Sequence, residues 1–197
     1  MRKVFIGLSL LVVSMFPIQV HADSALDTIK SRITQVLVVL RDPALKSDSS
    51  KEVKKKRLRQ IFDNAFDYAE LSRNTLSRNW DKLKPEQQKE FMQLYRTLLE
   101  NVYLDLILSY KDQEVTFGKE RALGEGKVEV DTKVISGSTE IPINFRLISQ
   151  SADWRIYDFV IENISVVSNY RSQFGRILTK QSPEEMLASL RKQVGQK

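Results

Sequence analysis

Cysteine is absent from the 197-residue sequence, and histidine occurs only once, at His21. Without cysteine the chain forms no disulfide, so its hydrophobic core must stabilise the fold alone. The shortage of histidine removes the side chain that most often transfers protons near neutral pH. It also excludes zinc sites of the common Cys/His kinds. The composition therefore argues against hydrolytic catalysis and leaves carboxylate or lysine chemistry open.

The N-terminus has the three-part layout of a secretory signal peptide. Arg2 and Lys3 precede an apolar run, Val4 to Phe16, and small residues around Ala22 follow it. The run is shorter than the roughly 20 residues of a spanning helix. We therefore expect cleavage near Ala22, which would also remove His21. Residues 1–22 are then a signal peptide, and residues 23–197 form one exported domain.

The net charge is modest. The formal charge of +6 permits weak attraction to anionic membranes or acidic protein surfaces. An exported chain rarely meets nucleic acid, so we expect no nucleic-acid partner. We also expect the protein to be a monomer.

The first half of the mature chain has helical periodicity. Apolar residues three and four positions apart predict a helix over Ser24–Arg41 and another over Lys51–Phe62. Pro85 follows Lys84 and begins the longest predicted helix, which extends to about Tyr110. Beyond Leu98 this helix is apolar nearly all round, so it must be covered on several sides. It is either the central core helix or one wall of a ligand cavity.

The second half alternates with the period of strands. Strands are predicted at 114–118, 127–135, 139–148 and 153–162, and two short helices follow at 167–178 and 183–194. Successive hairpins imply an antiparallel sheet. The fold class is therefore α+β, with a twisted antiparallel sheet of about four strands and helices wrapped on one face around an apolar cleft.

Strict alternation along the last long strand assigns its side chains to two faces. Trp154, Ile156 and Val160 would share one face with Asp158, and the intervening residues would occupy the other. A buried carboxylate is costly without a partner, so Asp158 is expected to pair with an arginine or a tyrosine hydroxyl.

Several segments together resemble one protein family. The run from Ile161 to Phe174, IENISVVSNYRSQF, follows the last predicted strand. Phe66-Asp67-Tyr68, Leu83–Gln87 and Ile141-Pro142-Ile143 precede it in the same order. Together these segments are similar to the MlaC, or toluene-tolerance, family of periplasmic phospholipid-binding proteins. The resemblance extends over residues 24 to 192.

The resemblance implies a fold and a role. It implies a cystatin-like cone around a deep apolar cleft that takes the acyl chains, with the headgroup near the mouth. It implies a carrier that moves phospholipid between an outer-membrane lipoprotein–porin complex and an inner-membrane ABC transporter with an MCE-domain ring, and so maintains outer-membrane lipid asymmetry. Phospholipid is then cargo, and no cofactor, metal or catalytic residue is expected.

Side chains from both halves are candidates for the cleft. They are apolar residues that the patterns direct to the sheet face or to the long helix, together with residues that close the ends and one arginine for the headgroup. The predicted lipid-binding set is Phe66, Leu71, Leu98, Val102, Tyr103, Leu106, Val130, Val134, Ile143, Phe145, Ile156, Val160, Arg171 and Phe174.

Two further features have alternative interpretations. Arg171 either meets a phosphate, for which its planar donors are suited, or pins a helix to the sheet. The basic stretch 51–59 is either a solvated face or a docking surface for acidic partners or anionic headgroups.

Two other functions remain open on the sequence. A cone fold can contain an isomerase in which Asp158 and a tyrosine, Tyr157 or Tyr103, transfer protons. Adjacent strand residues point to opposite faces, which disfavours the pair with Tyr157. A chaperone for lipoproteins is the other alternative.

Overall fold

The computed structural model describes residues 24–150 and 153–195. The predicted signal peptide, residues 1–22, lies outside the described residues. The helices are α1 Ala25–Arg41, α2 Lys51–Ala65, α3 Tyr68–Leu76, α4 Pro85–Leu108, α5 Val166–Leu178 and α6 Pro183–Gln193. The strands are β1 Glu114–Gly124, β2 Lys127–Ser136, β3 Thr139–Gln150, β4 Asp153–Ile161 and β5 Ile164–Ser165.

Polar caps and prolines begin the helices. The side chains of Ser24 and Asp67 accept hydrogen bonds from backbone N–H groups in the first turns of α1 and α3. Ser182 forms a reciprocal capping box with Glu185 at the start of α6. Pro85 opens α4 as the sequence predicted. These residues satisfy backbone donors that a helix leaves without an internal partner.

The sheet is antiparallel throughout, in the order β1-β2-β3-β4-β5. The predicted α+β class is confirmed, although the sheet has five strands where about four were expected. The added strand follows from the turn at Glu162 and Asn163. Both residues have left-handed φ angles, 48° and 67°. Such angles match the tight hairpin turn that returns the chain along β4.

A β-bulge lengthens β1 beyond its predicted end at Gly118. Phe117 pairs with Thr132 and Glu120 pairs with Val130, so Gly118 and one further residue oppose Asp131. A Cβ atom at Gly118 would lie 2.9 Å from the Cβ of Asp131. Glycine therefore permits the close approach, and the strand continues to Gly124.

A second bulge, in β4, overturns the predicted faces of that strand. Arg146 pairs with Asp158 and the adjacent Leu147 pairs with Ile156, so Tyr157 is the extra residue. The bulge shifts the alternation by one residue. Ile156 therefore shares a face with Phe159 and Ile161, whereas Asp158 and Val160 lie on the opposite face. The prediction that Ile156 and Val160 share a face was wrong because alternation alone does not reveal a bulge.

Buried apolar side chains form separate clusters around the sheet. The largest joins α3, α4, α5 and α6, and its centre is the stacked pair Phe91 and Tyr95 with Phe174 against their edges. A second cluster joins α1 to the sheet through Ile29 and Val130. A third lies among α1, α2 and α4.

An ion-pair network crosses the face of the sheet opposite the one that carries Val130 and Ile156. Arg121 of β1 and Arg146 of β3 both donate to Glu129 of β2, at 2.6 and 2.7 Å. Arg146 also pairs with Asp158 of β4 at 3.1 Å. The hydroxyl of Ser165 and the backbone N–H of Val167 donate to the same carboxylate. Asp158 thus has the arginine partner that its burial required, and it attaches the start of α5 to the sheet.

The network predicts how stability depends on pH. Burial tends to raise the pKa of the Glu129 carboxyl, but hydrogen bonds from Arg146 and Arg121 outweigh burial and lower that pKa. A lowered pKa stabilises the fold above the ordinary carboxyl range, and this contribution is lost as the pH falls through the lowered value. Glu129→Gln should lose roughly 1–3 kcal/mol of stability at pH 7 and show a smaller further loss on acidification.

Thermal denaturation of the unmodified protein and the Glu129→Gln variant, at several pH values from neutral to acid, measures how much stability each loses on acidification. Glu114→Gln is a matched control in β1, because Glu114 is exposed and forms none of the ion pairs found in the described chain. Parallel pH profiles for the Glu129→Gln variant and the unmodified protein would contradict the prediction.

Candidate functional site

An apolar cavity of about 450 Å³ lies between the sheet and helices α1, α2 and α4. Its size is in the range of small-molecule sites in proteins, about 300–1,000 Å³. The sequence left open whether α4 is simply a core helix or also a cavity wall. The structure shows that one stripe of α4 faces this cavity while another is packed in the core.

Three helices form one wall. Their contributions follow helical spacing, so that each helix presents one stripe to the cavity. The apolar residues from α1 are Ile29, Ile33, Val36, Leu37 and Leu40, those from α2 are Ile61, Phe62 and Ala65, and those from α4 are Leu99, Tyr103, Leu104, Leu106 and Ile107.

The sheet forms the opposite wall. Its contributions occupy alternate positions on the face opposite the ion-pair network. They are Val115, Thr132, Val134, Ser136, Ile141, Ile143, Phe145, Ile156, Phe159 and Ile161. Phe66 completes this side, and its backbone bridges to Ile156 at the junction of α2 and α3.

One polar corner of the wall is electrically balanced. Arg96 donates to Glu100 at 2.8 Å and lies 2.7 Å from the Asp63 carboxylate. Arg59 donates to the other oxygen of Glu100 at 2.9 Å. The Arg96 guanidinium also stacks over the ring of Tyr68, 5.3 Å from its centre. Two cations and two anions therefore neutralise one another beside the apolar surface.

Two tyrosines of the wall, Tyr68 and Tyr103, remain neutral phenols. Burial raises the pKa of Tyr68 more than the nearby Arg96 lowers it. Burial, with a smaller contribution from Tyr170, also raises the pKa of Tyr103. Both hydroxyls are therefore protonated at neutral pH and add no charge to the cavity.

Arg32 is a second arginine in the wall, and it differs from Arg96. Its Nε is buried and has no hydrogen-bond partner. None of the ion pairs within the described residues includes it. Arg32 was not among the residues predicted from the sequence. The available signal was its position, three residues after Ile29 and four before Val36, inside the apolar stripe of α1.

The end of α1 is linked to the segment that connects α4 with β1. Arg41 donates to the hydroxyl of Tyr110 at 3.1 Å through Nε. That hydroxyl donates to the backbone oxygen of Gln113 at 2.9 Å. Tyr110 and Gln113 both line the cavity, so this contact fixes one border of it.

Half of the residues predicted for the cleft lie in the cavity wall, and their contact with lipid stays a prediction. They come from the α2–α3 junction, from α4 and from the sheet. They are Phe66, Tyr103, Leu106, Val134, Ile143, Phe145 and Ile156.

The other predicted residues lie away from the wall. Leu71, Leu98 and Phe174 are buried in the cluster among α3, α4, α5 and α6. Val130 is fully buried against α1. These four residues were predicted to line the cleft, but they lie in packed clusters. Periodicity identifies an apolar face without showing whether that face packs against other residues or lines a space.

Val102 and Val160 were also predicted to line the cleft, and the backbone geometry places both outside the cavity wall. The cavity stripe of α4 passes through Leu99, Tyr103 and Leu106, which leaves Val102 outside it and 48% exposed. The β4 bulge turns Val160 to the opposite face of the sheet.

Arg171 makes a structural contact. Its Nε donates to the backbone oxygen of Asn74 at 2.8 Å, which joins α5 to α3. It lies outside the cavity wall, as does the carboxylate of Asp158. The acid–base pair of the isomerase alternative, Asp158 with Tyr103, is therefore not assembled in the cavity.

The basic stretch of α2 is partly neutralised within the fold. Lys51 and Lys55 approach Asp105, at 3.5 and 3.6 Å. Arg57 pairs with Asp42 at 3.1 Å, and Arg59 pairs with Glu100 as described above. Much of this charge therefore serves internal contacts, and a docking role stays a prediction.

Two negative findings apply to the described part of the chain alone. No helix there is both long and apolar enough to cross a membrane. Nor do three or more His, Cys, Asp or Glu side chains in residues 24–150 and 153–195 form a group that could hold a metal ion.

Comparison with known proteins identifies relatives. The MlaC protein family model matches residues 30–192. The intermembrane phospholipid transport system binding protein MlaC of Haemophilus influenzae is 22% identical over 116 residues, 56% of this chain. That stretch spans 54% of the Haemophilus protein. Toluene tolerance protein ttg2D of Pseudomonas putida is 21% identical over 168 residues, 84% of this chain and 78% of that protein.

A solved structure has the same fold. The phospholipid-binding protein from Ralstonia solanacearum, in complex with a phospholipid, superposes with a TM-score of 0.77 at 20% identity. The match covers 88% of this chain and 98% of that chain.

The cavity wall can be tested with a neutral apolar dye. Val134→Trp should weaken binding of phenylnaphthylamine, which fluoresces more strongly in apolar surroundings, because the indole would occupy part of the cavity. Overpacking of this kind costs about 1–3 kcal/mol, which is roughly fivefold or more in Kd. Ile135→Trp alters the neighbouring residue on the opposite face and should bind the dye normally. Equal loss in both variants, or none in either, would contradict this placement of the wall.

Proposed function

Because the chain belongs to the MlaC protein family, we propose that it is a periplasmic phospholipid carrier. The acyl chains of the bound phospholipid occupy the apolar cavity, and the headgroup of the lipid lies near the mouth. The observation that supports this most directly is the cavity itself, whose two walls are almost entirely apolar side chains of α1, α2, α4 and the sheet.

The chemistry of the wall suits reversible carriage. Burial of an acyl chain is worth about 0.8 kcal/mol per methylene relative to water. A bilayer and this cavity are both apolar, so the free-energy difference between them is small. Lipid can therefore pass between the bilayer and the cavity without a large change in free energy. Partner proteins can then set the direction of transfer.

The partners proposed for the carrier are membrane complexes. Lipid would be exchanged with an inner-membrane MCE-domain ABC transporter and an outer-membrane lipoprotein–porin complex, which would maintain outer-membrane lipid asymmetry. The name of the Haemophilus relative, a binding protein of an intermembrane transport system, supports this role. The predicted signal peptide supports location in the periplasm.

The role needs no catalytic group. Lipid binding and release involve no bond cleavage. A lipoprotein chaperone would use the same apolar space for a lipidated peptide, and mass separates the two ligands.

Native mass spectrometry of the purified protein tests the proposal. The protein should carry extra mass equal to phospholipid, and organic extraction should release that lipid for identification. Ile143→Trp, which directs an indole into the cavity, should reduce the lipid-bound fraction severalfold at unchanged thermal stability. Ile148→Trp, on the opposite face of the same strand, is the matched control and should retain the lipid.

Two results would contradict the proposal. One is a folded protein that neither retains phospholipid nor extracts it from vesicles. The other is bound lipidated peptide in place of phospholipid, which would favour the chaperone.

A further inference from the structure

We propose that Arg32 binds the phosphodiester of the phospholipid headgroup, so that the cavity has one specific polar anchor. This inference rests on the proposed function and names the group that recognises the polar end of the same ligand. No residue predicted from the sequence has this role, and Arg171, the candidate chosen there, is bonded to the Asn74 carbonyl instead.

The side chain of Arg32 is not satisfied by hydrogen bonds within the fold. Arginine carries five N–H donors and remains charged at all ordinary pH values. The Nε of Arg32 is buried without a hydrogen-bond partner. A buried donor on a charged group is costly unless an acceptor reaches it. The Nε of Arg32 is therefore a donor that no described residue satisfies.

Arg96, in the same wall, differs from Arg32 because its charge is neutralised. Arg96 is held by Glu100 and Asp63, and Arg59 completes the balance on Glu100. That corner carries no net charge. Arg32 forms no such pair among the described residues, so the net charge of the described wall is positive and is located on α1.

An anionic lipid headgroup fits both the free donor and the unpaired charge of Arg32. A cation beside a large apolar surface is complementary to an anionic amphiphile. The planar fork of a guanidinium matches two oxygens of a phosphate and forms strong charge-assisted hydrogen bonds. Ile29 and Val36 flank Arg32 on the same stripe of α1. A phosphate at Arg32 would therefore leave the first methylenes of the acyl chains against apolar side chains.

Paired ligands test the inference, one with the phosphate and one without. The probes are dihexanoyl phosphatidylcholine and dihexanoylglycerol, which share the acyl chains. Arg32→Gln should weaken binding of the phospholipid roughly tenfold or more, as expected for loss of a charge-assisted hydrogen bond. It should leave binding of the diacylglycerol unchanged. Arg32→Met is a second variant that keeps an apolar stem if the glutamine variant does not fold.

Two controls make the comparison specific. Arg78→Gln removes the same charge from an exposed residue outside the cavity and should bind both probes normally. Arg32→Lys keeps the charge without the planar fork and should lose part of the affinity for the phospholipid. Phosphorus NMR of the bound phospholipid should show a shifted resonance in the unmodified protein that moves toward its free position in Arg32→Gln.

The outcomes separate this inference from the proposed function. Equal weakening of both probes would give Arg32 a structural role and overturn the inference. Unchanged binding of both probes would mean that solvent alone satisfies the guanidinium, and this also overturns it. If the unmodified protein binds neither probe, the carrier function fails as well.

Discussion

An apolar cavity lowers the stability of a fold, so the packed regions of this protein must compensate for it. Side chains that face a cavity lose packing contacts on one side, at a cost on the order of 20 cal/mol for each Å³. The chain has no disulfide to compensate. Stability must therefore come from regions that are solidly packed, and the clusters around Phe91, Val130 and Leu58 supply it. The division between packed clusters and the lined cavity explains why several strongly apolar residues lie away from the site.

The two faces of the sheet have opposite roles. One face is the apolar wall, where Val134, Ile143 and Phe145 meet the cavity. The other carries the network of Arg121, Glu129, Arg146 and Asp158, which links four strands by side-chain contacts. Such a network helps fix strand register without filling the cavity. The β4 bulge belongs to the same arrangement, because it directs Asp158 to the network and Ile156 to the wall.

The cavity wall contains few charged groups, and most of them are neutralised. The Arg96 corner is neutral, burial keeps Tyr68 and Tyr103 protonated, and Arg32 is the cation of the wall without a described partner. A wall of this kind binds acyl chains through burial, which has no directional requirement. Specificity then depends on few polar contacts, and a single guanidinium can distinguish the polar end of an amphiphile from its tails.

Local patterns in the sequence determined the fold class, most helix and strand positions, and the apolar faces of α1, α4 and the strands. They did so because helical and strand periodicity and capping residues such as Ser24 and Pro85 act over a few neighbouring positions. The tertiary structure alone decided which apolar residues line the cavity. Val130 and Val134 lie on one face of β2, yet only the second borders the cavity, because α1 covers the first. Bulges at Gly118 and Tyr157, and the pairing that leaves Arg32 without a partner, likewise depend on contacts between segments far apart in the chain.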